Sequence, residues 1–206
     1  MGLRRLAALL EREVPRPPRP KQWLEQYRTP PEVALELVSR LPGCCRVVVD
    51  LGSGTGMIAY AAGLLRGYYV VAVDVDAEQL EAARGSSLYA RLLVDHVQAD
   101  AAALPLRPAP GLCVAQNPPF GTKRRGADRV FVEAAASLGA VAVESLHLYS
   151  SGARGFLERL YQGLGYELAA VEALRFPIPA MYRGHVKRVH YALVLLVSAR
   201  RRGARC

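Results

Sequence analysis

A β-branched run from Arg46 to Asp50 opens directly into Leu51-Gly52-Ser53-Gly54-Thr55-Gly56 and then into an apolar stretch from Met57 to Leu65. Strand, glycine-rich turn and helix in immediate succession specify a parallel crossover unit. The glycines let the backbone turn sharply and bring a helix amino terminus over the strand end. The alternation continues downstream. Strands are expected at Tyr69 to Val73, about Leu93 to Gln98, Gly111 to Ala115, Val141 to Leu146, Tyr166 to Arg175 and about His190 to Val197. Helices are expected from near Ala77, over Val130 to Leu138 and over Gly155 to Leu164. Strands interleaved with helices give a mainly parallel, doubly wound α/β sheet.

The segment ahead of this pattern differs in kind. Leu3 to Val14 reads as an amphipathic helix with Leu6, Leu9, Leu10 and Val14 on one side, and the prolines and arginines of 15–20 make an extended connector. Thr29 is placed to cap a helix that begins at Pro30-Pro31 and carries Val33, Leu35, Leu37, Val38 and Leu41. The expected organisation is an N-terminal helix and connector over 1–21, a main domain over 22–198 and a basic tail over 199–206.

The chemistry sits at strand ends. Gly52-x-Gly54-x-Gly56 after Asp50 differs in spacing from the pyrophosphate fingerprint of NAD sites, so it suits a smaller ligand that approaches the backbone. Asp50 would sit beside that ligand and favour a positive charge such as an α-ammonium. Asp74 ends the second strand, where a carboxylate can take both hydroxyls of a ribose. Asp100 follows the third strand and suits either an adenine amino group or a helix cap. Asp76 is expected to cap the helix near Ala77. Gln26, Tyr27 and Thr29 form a polar loop that could cover a cofactor, against the simpler role of capping and packing.

The fourth strand runs into Asn117-Pro118-Pro119-Phe120-Gly121-Thr122-Lys123. Two prolines forbid strand and helix alike, leaving a stiff loop at the edge where α/β sheets bind ligands. Such a loop suits methyl transfer to a planar, nitrogen-bearing group. The Asn117 side-chain oxygen and the Pro118 carbonyl would each accept an amine hydrogen, and Phe120 would stack on the ring. Lys123 could meet a phosphate. The plain alternative is a proline-rich turn with a buried Phe.

The net charge of +9, carried mostly by arginine, fits a polyanionic partner, although genome composition or a hot habitat would also enrich arginine. Arg124 and Arg125 beside the loop, and Arg183, His185 and Lys187 in a basic turn, are the candidate nucleic-acid contacts. Cys44, Cys45, Cys113 and Cys206 show no metal-ligand spacing and are read as reduced thiols, and the four scattered histidines give no metal site. No apolar run is long enough to cross a membrane and no signal-peptide pattern opens the chain, so a cytosolic protein is expected.

With these motifs in order, the chain resembles class I S-adenosylmethionine-dependent amino-methyltransferases. More closely, it resembles the methyltransferase-like-5 family of ribosomal RNA adenine-N6 methyltransferases in its archaeal form. The matching segments are Leu24-Glu25-Gln26-Tyr27-x-Thr29-Pro30, the glycine loop, residues 117–123, Ser145-Leu146-His147 and Phe176-x-Ile178-Pro179-Ala180-x-Tyr182. The resemblance implies a Rossmann-like seven-stranded sheet with its last strand antiparallel. It also implies S-adenosyl-L-methionine contacts from Gln26, Thr29, Gly52, Thr55, Met57, Asp74 and Asp100, with Asn117 to Phe120 holding an adenine. Ser53 and Thr55 stand where family members often carry cysteines. Eukaryotic relatives work with a small zinc-binding activator protein that pairs with a sheet edge, for which the third strand, Leu92 to Val97, is the candidate here. A protein glutamine methyltransferase acting on release factors is the alternative enzyme, disfavoured by Phe120 in place of tyrosine and by the short segment before Trp23. A DNA methyltransferase lacks room for a target-recognition region, and a non-catalytic RNA-binding scaffold is disfavoured by the intact acids and Asn117.

Overall fold

The computed structural model describes residues 2–123, 126–178 and 190–204, the side chains of 178 and 190 excepted. Its elements are α1 (Leu3–Glu13), α2 (Pro31–Ser39), β1 (Val47–Leu51), α3 (Met57–Arg66), β2 (Tyr69–Asp74), α4 (Ala77–Arg84), β3 (Val94–Gln98), β4 (Leu112–Gln116), α5 (Ala127–Ser137), β5 (Ala142–Leu148), α6 (Ala153–Gly163), β6 (Tyr166–Ile178) and β7 (His190–Arg201). They build a seven-stranded sheet in the order β3-β2-β1-β4-β5-β7-β6. Strands β1 to β5 pair in parallel, whereas β7 runs antiparallel to both β5 and β6. The expected Rossmann-like sheet, with its last strand antiparallel, is therefore present.

Both faces of the sheet are covered, which is why β1 opens on three successive valines, Val47 to Val49. Val48 joins a core with α1, α2 and α3, while Val49 and Leu51 join a second core with α5 and α6. Tyr60 of α3 is fully buried and its hydroxyl donates to the Ala83 carbonyl of α4 at 2.6 Å. Its ring lies directly under the glycine loop: a Cβ on Gly56, where φ is 90°, would come within 2.8 Å of the Tyr60 ring. Only glycine meets both the angle and the space.

Element ends shift from expectation for identifiable reasons. α5 starts at Ala127, three residues before Val130, because Gly126 takes a left-handed turn and Asp128 supplies an acid to the first turn. β6 continues past Arg175 to Ile178, and Pro177 is tolerated because β6 is an edge strand. α2 begins at Pro31 with Pro30 as its cap, so Thr29 is not the capping residue. The N-terminal segment packs onto the domain: Leu6, Leu10 and Val14 are buried in the α2–α3 core, and the connector is tied down by Thr55 Oγ1 donating to the Pro15 carbonyl and Gln79 Nε2 to that of Pro18.

The cysteines correct the reading of reduced thiols. Cys45 and Cys113 form a disulfide with Cα atoms 5.7 Å apart. Parallel pairing of β1 with β4 sets Cys113 opposite Val48, bringing together two residues 68 apart in sequence. Cys44 is disulfide-bonded as well, and Cys206 lies outside the described residues. No helix among the described residues is long and apolar enough to cross a membrane.

Candidate active site

The carboxyl ends of β1, β2, β3 and β4 converge on a cavity of about 460 Å³, and residues 23–29 pass across it. That volume suits a small-molecule ligand. The glycine loop forms its floor. Gly52, Gly54 and Gly56 all have positive φ, and the Gly52 and Ser53 amides donate to the Val73 carbonyl, binding the loop to the end of β2. A Cβ on Gly52 would press on the Phe131 ring at 3.0 Å, whereas one on Gly54 would meet nothing within 4 Å. Gly54 therefore presents open backbone to the cavity.

The three acids behave differently. Asp74 lines the cavity, its Oδ2 accepting from the Gly54 amide at 2.7 Å and its Oδ1 from the Asp76 amide at 2.8 Å. Burial pushes its carboxyl above the ordinary range, and those amides oppose the rise. Asp100 lines the cavity from an exposed position, and its Oδ1 caps the short turn Ala101–Ala103, the second of its two expected settings. Asp50 does not line the cavity. It is fully buried beneath the loop, where Oδ2 accepts from the Ala59 amide at 2.9 Å, and burial raises its pKa to about 8. Held there, its Oδ2 serves α3, while its Oδ1 is buried with no hydrogen-bond partner among the described residues.

The crossing segment is fastened at two points. Toward α4, Lys21 Nζ and Gln26 Nε2 donate to the two oxygens of Asp76 at 2.8 Å each, and Asp76 also caps α4 through the Glu78 amide. Burial opposes ionisation of Asp76, but these donors outweigh it and hold its carboxyl below the ordinary range. Toward β4, Thr29 Oγ1 accepts from Asn117 Nδ2 at 3.0 Å, and the Glu25 carboxylate accepts from the amides of Phe120 and Lys123. Asn117 Oδ1 is buried and has no hydrogen-bond partner among the described residues. The Phe120 ring is braced edge-on by Phe176 at 5.7 Å and faces Tyr27 in a stacked arrangement at 6.4 Å.

Most sequence-predicted residues thus meet at one place. Gln26, Tyr27, Thr29, Gly52, Gly54, Thr55, Met57, Asp74, Asp100, Asn117, Pro119 and Lys123 line the cavity, while Pro118 is buried behind the loop and Phe120 leans into the α2–α3 core. Arg124, Arg125, Arg183, His185 and Lys187 lie outside the described residues. His147 is a packing residue, with Nδ1 3.2 Å from Asp128 Oδ2 and its ring edge-on to Tyr161. Sequence reasoning missed Glu25 and the apolar lining residues Val75, Ala99 and Ala101. The last three flank the strand-end acids, a position from which they could have been read. Glu25 stands within the family segment that begins at Leu24, but its loop partners are nearly a hundred residues away and no local pattern names them.

The family described as "Methyltransferase domain" matches residues 48–139. Together with the sheet order and the glycine-floored cavity, that match makes the chain a class I S-adenosylmethionine-dependent methyltransferase. The rRNA N(6)-adenosine-methyltransferase METTL5 of Danio rerio is 32% identical over 177 residues, covering 82% of this chain and 84% of that protein. Its Drosophila melanogaster counterpart is 34% identical over 178 residues, with 82% and 83% covered. The chain belongs to this METTL5 family. A solved structure from Pyrococcus horikoshii, described provisionally as an RNA methyltransferase, superposes with a TM-score of 0.84 at 29% identity over 98% of both chains.

Proposed function

We propose that the protein methylates the N6 amino group of an unpaired adenine in RNA, with small-subunit ribosomal RNA as the substrate. The observation that carries this reading is the Asn117 side chain: Thr29 fixes its amide nitrogen, leaving a buried oxygen with no partner at the cavity wall. An unpaired buried acceptor is costly, about 1–3 kcal/mol, and a substrate N–H would relieve that cost. The names of the METTL5 relatives support adenine in ribosomal RNA as the target.

The cavity residues fit the methyl donor. Asp74 suits the ribose hydroxyls, the open backbone at Gly54 the amino-acid portion, and Asp100 with Val75, Ala99 and Ala101 the adenine. Bound S-adenosylmethionine supplies an electrophilic methyl group. The protein then prepares the nucleophile. Asn117 Oδ1 and the Pro118 carbonyl each accept one hydrogen of the target amine, drawing its lone pair out of conjugation with the ring. No strong base is required, because the proton leaves after the nitrogen has become positive. Stacking of the base on Phe120, in the place that ring now shares with Tyr27, would contribute roughly 1–3 kcal/mol, and Lys123 meets a neighbouring phosphate. The target must be unpaired or flipped, since N6 in a paired stem is already engaged. β3 is an edge strand, so a small zinc-binding activator could add a strand there.

The test offers labelled S-adenosylmethionine with ribosomal RNA, a release factor or DNA, with and without the activator. Label in N6-methyladenine of ribosomal RNA is the expected result. Transfer to a glutamine side chain alone would overturn the reading in favour of release factors.

A further inference from the structure

We infer that Glu25 is a positioning residue that fixes the backbone of the substrate loop and thereby aims the Asn117 acceptor. The inference rests on the adenine-methylation reading above. Pro118 and Pro119 have no N–H, so the first backbone donors after Asn117 are the amides that follow them. Glu25 takes two: Oε2 accepts from Phe120 and Oε1 from Lys123, each at 2.8 Å. One carboxylate thus bridges two amides on either side of Gly121-Thr122 and closes the loop into a turn. The group is only 6% exposed, so these charge-assisted bonds are shielded from water.

Glu25 also stands in an unusual backbone conformation. Its φ and ψ of 50° and 43° are left-handed, a region that residues other than glycine, asparagine and aspartate seldom enter. The conformation directs a long acidic side chain inward from a turn that otherwise exposes Trp23. Strain of this kind persists where surrounding structure holds it, and here the two loop amides receive the side chain. The chemistry requires a carboxylate. Glutamine would set its NH2 donor against one of the two amide donors, and asparagine suits the left-handed turn but is one methylene shorter.

The same short segment carries Gln26, bonded to Asp76 beside the ribose acid, and Thr29, bonded to Asn117. Glu25 therefore sits between the cofactor side and the substrate side, and acts on the second through backbone alone.

The test compares full-length Glu25→Gln and Glu25→Asn with wild type in three readouts: S-adenosylmethionine affinity by calorimetry, kcat and KM on an RNA with an unpaired adenine, and amide hydrogen exchange at Phe120 and Lys123. The expected result is cofactor affinity within about threefold, kcat lowered about 10- to 100-fold, and faster exchange at both amides. Glu25→Asn, which favours the turn, should be no better than Glu25→Gln. Wild-type kcat with unchanged exchange in Glu25→Asn would overturn the proposal and leave Glu25 as a turn-former. Equal loss of cofactor affinity and kcat would also overturn it, by showing a general folding role. If wild type methylates no RNA, the adenine reading fails, while exchange at the two amides still decides the clamp.

Discussion

Asn117 has two ends with different partners, and that asymmetry is the centre of the site. Its nitrogen is held by Thr29, so its oxygen is kept as the acceptor. Asn117→Ala should retain cofactor binding and lose about 10²–10³-fold in kcat, as when one preorganised hydrogen-bonding group is removed elsewhere. Single-turnover methylation beside calorimetry checks this, and wild-type turnover would contradict the mechanism. The strand-end acids separate just as clearly. Asp74→Ala should weaken S-adenosylmethionine binding by at least about tenfold, because a cavity-lining carboxylate is lost. Asp50→Asn should change it less than about threefold, because the asparagine oxygen can still accept from Ala59 and the residue does not reach the cavity. Equal losses in the two variants would return Asp50 to the ligand.

At the level of elements, the glycine loop and α3 form one unit. Gly56 must be glycine because Tyr60 packs beneath it, and Tyr60 in turn reaches α4 through Ala83. A second link joins β4 to Cys45, two residues before β1. Closing a loop of 68 residues with the Cys45–Cys113 disulfide stabilises by about 4 kcal/mol on a chain-entropy basis. Cys113→Ala should therefore lower the denaturant midpoint under oxidising conditions, and the difference from wild type should shrink once both are reduced. An unchanged midpoint would show that the bond does not constrain the unfolded chain. The strand ending at Gln116 was readable from its apolar run and the prolines beyond it, as was the glycine turn. The extension of β6 through Pro177 was not, because tolerance of a proline depends on lying at a sheet edge, which is a property of the assembled sheet.

For the whole molecule, the half-buried His96 on β3 gives a measurable pH signature. Its ring lies against Tyr89 and Tyr60, and burial, with Arg84 nearby, lowers its pKa to about 4. A depressed histidine binds its proton less readily in the folded than in the unfolded chain. Stability relative to a non-titrating His96→Phe variant should therefore fall as pH drops from about 6.5 toward 4 and level off below. Urea midpoints of the two proteins across that window check the sign; a constant difference would refute it.

What the sequence determined by itself is local: a strand turning through glycines into a helix, acids that end strands, and prolines that stop one. Each follows from the steric and hydrogen-bonding character of neighbouring residues, so the fold class and the glycine loop and strand-end acids of the cavity wall could be read directly. The tertiary structure decided which distant groups meet. Thr29 finds Asn117 across 88 residues, Glu25 finds Phe120 across 95, and Asp50 is buried beneath the glycine loop, where it accepts from Ala59. Side-chain hydrogen bonds act over about 3 Å. No local pattern can reveal a partner that only the folded sheet brings within that reach.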